Sequence, residues 1–104
     1  IMSLDYFGFI FTGRGMQPET HRSVIAQDDF RTLIVGVSSA DQGVEVAREM
    51  VADGVQLIEL CGGFGPVWTG KIVDATDGAV PVGSVGYGPE SIDGMARLFP
   101  ASDS

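Results

Sequence analysis

Glu59 and Cys61 are the side chains of this sequence with the clearest chemical potential. They close an apolar, β-branched run, Val55–Cys61, that leads straight into Gly62, Gly63 and Gly65. Side chains alternate along a strand, so Glu59 and Cys61 share a face about 6–7 Å apart. A carboxylate inside an apolar run is costly to bury unless it is hydrogen-bonded or protonated. Glu59 is therefore expected to be largely buried. It serves either as a general acid/base or as a structural carboxylate that ties down loop N–H groups. Cys61 reads as a nucleophile or as a small buried packing residue. A nucleophile needs a base, and His21 is the only histidine in the chain. It lies far from Cys61 in sequence, and a neighbouring Glu59 anion works against a thiolate.

The run Gly62-Gly63-Phe64-Gly65-Pro66 joins a strand to a helix. Glycines there permit close backbone approach, and the free N–H groups of a helix start suit a carboxylate or phosphate. Val85-Gly86-Tyr87-Gly88-Pro89 repeats the arrangement, and Thr12-Gly13-Arg14-Gly15 adds the cation Arg14. Arg14, Arg22, Gly62, Gly63, Phe64, Gly65 and Tyr87 are the candidate ligand-binding residues. Glu59, Cys61 and His21 are the candidate catalytic ones. Each has a plainer reading as a turn residue, a solvated helix face or a packing residue. No P-loop, GxGxxG or GxSxG motif is present, and no HxH, HExxH or CxxC spacing suits a metal. No cofactor is expected.

Positioning these residues requires a parallel sheet. Nearly continuous apolar runs mark four strands, at Tyr6–Thr12, Thr32–Val37, Val55–Cys61 and Ala79–Val85. Pro81 makes the last an edge strand. Helix signals fall between and after them. The first is a short helix from Pro18 to Ala26. The second opens on a Ser39–Gln42 capping box and stops at Gly54. The third runs from Pro66 to before Gly78. The fourth runs from Pro89 to Pro100 and carries Ile92, Met95, Ala96 and Phe99, with a frayed tail Ala101–Ser104. The order βαβαβαβα implies right-handed crossovers. The expected fold is a single α/β domain over residues 1–104. It is a three-layer sandwich on a four-stranded, mainly parallel sheet in the flavodoxin-like order 2-1-3-4, with half of a β/α barrel as the alternative. In the sandwich, the loops after the first and third strands flank the switch-point crevice. Arg14, His21 and Arg22 would there approach Glu59, Cys61 and Phe64.

Composition sets the outer limits. The net charge is −8, from 14 acids against 6 bases, and no basic cluster exists. That argues against a phosphate-backbone partner, so no nucleic acid is expected, and against an anionic membrane surface. The N-terminal run reads as a strand rather than a signal peptide, and no run is long enough to span a membrane. One cysteine fits a reducing compartment, so the expected location is the cytoplasm. An open sheet in a 104-residue chain leaves edges and apolar helix faces uncovered, including those of Trp68, Tyr87 and Phe99. A homo-oligomer, first of all a dimer, is expected.

Several motifs carry a resemblance. They are FIF in the first strand, the P-E-T-H-R segment Pro18–Arg22, IVGV at Ile34–Val37, the run Gly54–Gly65, KIV at Lys71–Val73, and VPVG at Val80–Gly83. Over Tyr6–Gly86 the chain resembles a family of small bacterial proteins, an uncharacterised conserved domain with an ELCGGFG-type motif. The resemblance implies a freestanding domain and assigns no catalytic residue, cofactor or substrate. The expected function is binding of a small anionic metabolite at the carboxyl ends of the strands, with or without lyase- or isomerase-type acid/base catalysis. The alternative is a non-catalytic regulatory or assembly module whose glycines serve only packing.

Overall fold

Each of the four apolar runs contains a strand, although those over Val55–Cys61 and Ala79–Val85 are only three residues long, and the computed structural model describes residues 3–101. The elements are β1 (Tyr6–Thr12), β2 (Arg22–Gln27), β3 (Phe30–Val37), α1 (Gln42–Ala52), β4 (Ile58–Leu60), α2 (Gly65–Ala75), β5 (Val82–Ser84) and α3 (Ile92–Leu98). A single 3-10 turn, Pro89–Ser91, leads into α3. Most of the tail expected to fray, residues 102–104, lies outside the described residues.

The sheet has five strands rather than four, in the order β2-β3-β1-β4-β5. β3, β1, β4 and β5 run parallel, and β2 is antiparallel to β3. The added strand replaces the helix expected over Pro18–Ala26. Pro18 nucleates only one turn, in which His21 N–H donates to the Gln17 carbonyl at 2.7 Å. Beyond it, Val24 and Ile25 are β-branched and prefer an extended backbone. Asp28 adopts φ +41°. Aspartate tolerates this left-handed conformation, and it lets Gln27 turn directly back onto Phe30. The β3 edge supplies a full ladder, which the short helix could not match.

The exchange changes the architecture. α1 links β3 to β4 and α2 links β4 to β5, so both crossovers run the same way across the sheet. Right-handed crossovers of one direction fall on one face. The core accordingly gathers Ile10, Val35, Ile58 and Leu60 of the strands against Val46, Met50 and Ile72 of the two helices. No helix lies between β1 and β3, so among the described residues none covers the other face. The expected three layers are therefore two.

Local details fix the helices over this core. Gly43 of α1 faces Phe64, and a Cβ there would lie 2.5 Å from the ring. Gly54 ends α1 with φ +95°, a conformation that glycine adopts without strain. The expected Ser39–Gln42 capping box does not form: Asp41 is the N-cap and makes no side-chain cap bond, and the Gln42 side-chain oxygen instead accepts the Ser38 N–H at 2.9 Å. That bond anchors α1 to the end of β3.

Candidate functional site

The carboxyl ends of β1 and β4 lie side by side, and they bring Thr12 and Cys61 together. The Cys61 N–H donates to the Ile10 carbonyl at 3.1 Å. The Thr12 N–H donates to Cys61 Sγ at 3.2 Å, and Thr12 Oγ1 lies 3.4 Å from the same sulfur. Cys61 is half-buried and acts here as an acceptor that continues the sheet beyond its last ladder bond.

The glycines that follow admit two close approaches. A Cβ on Gly63 would collide with Thr12 Oγ1, and one on Gly62 would lie 2.7 Å from the Tyr87 ring. Tyr87 arrives there because the Val85 N–H donates to the Leu60 carbonyl at 3.0 Å, extending the β4–β5 pairing past β5. α3 then supplies Met95 and Leu98, and Phe99 just after it, as an apolar wall. Together these residues enclose a crevice of about 460 Å³. A neighbouring hollow of about 590 Å³ shares Thr12, Leu98 and Phe99 with it and contains Arg14 and Ser38.

Not every candidate residue meets there. Glu59 is exposed, not buried. It pairs with Phe9 and Gly83 on the uncovered face of the sheet, where water reaches it. It lines a separate shallow hollow with Gly83, Ser84 and Val85. The strand ends at Leu60, and Cys61 leaves the alternation that would have put it beside Glu59. His21 is exposed, and its Nδ1 accepts the Gln17 N–H at 2.8 Å in the turn before β2. Arg22 lies on β2, where its guanidinium pairs with Glu49 at 3.4 Å. Phe64 is 3% exposed and belongs to the core. The expected meeting of Arg14, His21 and Arg22 with Glu59, Cys61 and Phe64 is thus divided. Thr12, Cys61, Gly62, Gly63 and Tyr87 share one crevice, with Arg14 in the adjoining hollow. Gly65 opens α2 outside the crevice, and His21 and Arg22 lie away from it because the chain passes into β2 at the far edge of the sheet.

A second polar group was not legible in the sequence. Tyr6 Oη donates to Asp53 Oδ2 at 2.6 Å, and the Arg31 guanidinium sits 3.8 Å from the centre of the Tyr6 ring. Together with Arg22 and Glu49 they line a cleft of about 400 Å³ between β2 and α1. Burial, and then the bond to Asp53, push the Tyr6 hydroxyl above its usual pKa. Tyr6 and Asp53 lie far apart in the chain, and only the packing of α1 on β1 joins them.

Chemically, the crevice offers a hydroxyl, a thiol, a phenol, glycine amides and an adjoining guanidinium. Among the described residues that line it there is no carboxylate and no imidazole to act on Cys61. Among the described residues no group of His, Cys, Asp or Glu is arranged to hold a metal ion, and no helix is long and apolar enough to cross a membrane.

A family model described as a family of unknown function, DUF6506, matches residues 5–100. The chain belongs to DUF6506. The matched region of this DUF6506 member runs from the start of β1 through α3, and so contains the crevice and the uncovered sheet face alike. No curated protein and no solved structure matches the chain.

Proposed function

We propose that this protein binds a small anionic molecule in the crevice at the carboxyl ends of β1 and β4. The observation that carries the reading is the crevice itself, about 460 Å³ with Thr12, Cys61 and Tyr87 on one side and the apolar wall of α3 on the other. Ligand sites of open α/β sheets favour this position. Arg14, in the adjoining hollow, supplies the positive charge that an anion requires. The binding groups are Arg14, the Gly62 and Gly63 amides and the Tyr87 hydroxyl. Catalysis by Glu59 has no support from this geometry, because Glu59 opens onto a different surface.

A second reading is a module in which the glycines serve packing alone. It is favoured by the close approach of Tyr87 to Gly62 and of Thr12 to Gly63. Thermal-shift titration separates the two, with inorganic phosphate, malonate and a neutral diol as probes. Binding predicts that phosphate or malonate raises Tm, that the diol does not, and that Arg14→Ala abolishes the rise while leaving the unliganded Tm unchanged. No shift with either anion overturns the binding reading and leaves the packing one.

A further inference from the structure

We propose that the uncovered face of the sheet is the seat of a second copy of this chain, packed sheet against sheet about a two-fold axis. The face is built by the odd-numbered residues of β1, Phe7, Phe9 and Phe11. They lie beside Thr32, Ile34 and Gly36 of β3, and Ile25 of β2 lies opposite Thr32. None of these residues belongs to the core beneath the helices or packs against it. The phenylalanines shelter one another instead: the Phe9 and Phe11 rings stack at 6.5 Å, and Phe7 meets Phe30 at 6.0 Å. Met16, from the loop after β1, packs over the buried Gly36 beside Phe11 and closes that one corner, leaving the Phe7–Phe9, Ile34 and Ile25 part of the face open. Ile25 stays 62% exposed and Phe30 43% exposed.

Three considerations select a second copy as the occupant. The first is charge. The chain carries a net charge of −8, so two copies associate only through a surface from which charge is withdrawn. Glu59, in the middle of β4 beside Phe9, is the one ionisable side chain that the strands direct onto this face among the described residues. Arg22 and Arg31 point to the other side, into the cleft over β2. The second is area. Five strands of three to eight residues give a planar footprint of about 430 Å² per copy. Two such footprints, roughened by side chains, remove on the order of 1,000 Å², the size at which a specific interface begins. The third is shape. Two twisted sheets stack about 10 Å apart with interleaved side chains, and a row of aromatic and β-branched residues fills that gap. A two-fold arrangement also makes the face its own complement.

Sedimentation equilibrium of the whole chain tests the proposal, with Ile25→Lys and Phe9→Lys as probes and Leu98→Lys on α3 as control. Ile25 is exposed in the single chain and lies outside the core, so its replacement leaves the core packing intact and remains informative where Phe9→Lys fails to fold. The expected result is a wild-type mass near twice the 10.9 kDa of one chain, a tenfold or greater weakening of association by Ile25→Lys, and no change with Leu98→Lys. A wild-type monomer at every concentration overturns the proposal. So does a dimer that Ile25→Lys leaves intact, or one that only Leu98→Lys dissociates, which would move the interface to the C-terminal helix.

Discussion

Tyr6 shows how a single side chain couples strand, helix and solvent pH. The residue is 4% exposed and its hydroxyl donates to Asp53 at 2.6 Å. The hydroxyl therefore keeps its proton to higher pH in the folded chain than in the unfolded one, where the ordinary value is 10.0. The folded state binds more protons in that window, so stability falls as pH rises. The contribution is fully present below about pH 10 and is lost as pH climbs through the raised folded value. Tyr6→Phe should remove about 1 kcal/mol at neutral pH through the lost hydrogen bond. It should also flatten the alkaline decline. Urea unfolding of both proteins from about pH 8 to pH 11 checks this, and parallel alkaline slopes would show that Tyr6 is not the responsible group.

Among the elements, β2 decides the most, and it depends on a two-residue turn. Asp28 holds φ +41°, a conformation that costs a β-branched residue on the order of 1–3 kcal/mol. Asp28→Gly should leave the hairpin as stable or slightly more so, whereas Asp28→Val should lower stability by about 1–2 kcal/mol. Chemical denaturation gives both numbers. Equal losses in the two variants would mean that the turn conformation is not what holds β2 in register. The hairpin matters beyond its own stability. With β2 extended along β3, no helix of the described residues lies over the Phe7–Phe9–Phe11 row, and the second sheet face stays open and, Glu59 aside, largely apolar.

At the scale of the whole molecule, the fold divides into a well-packed body and a loosely attached C-terminal wall. No residue of the Pro89–Ser91 turn or of α3 is buried, and Leu98 and Phe99 are 73% and 70% exposed. A chain ending at Gly88 should therefore keep its fold with a Tm only about 2–5 °C lower, while losing the apolar wall of the crevice. Circular dichroism melting checks the first part. A truncated chain that does not fold would show that α3 contributes to the core in solution.

Much of this architecture was determined by the sequence alone. Continuous apolar runs, helix starts at Pro66 and Pro89, and the Gly54 stop define a mixed α/β domain with a mostly parallel sheet, because period and backbone chemistry are local properties. β1 follows its apolar run from Tyr6 to Thr12, and the Cys61–Gly63 turn leaves the end of β4 as the glycines suggest. Tertiary structure decided the rest. Val24 and Ile25 lie in a short segment whose helical start signal at Pro18 is as strong as its strand propensity, and only the free edge of β3 resolves the competition. That outcome removes a helix layer, exposes Glu59 on the open face, and carries His21 and Arg22 away from Cys61. A carboxylate inside an apolar run looks buried when both sheet faces are assumed covered. It is not buried here because whether a strand has one covered face or two is set by where the crossover helices fall, and no single strand encodes that.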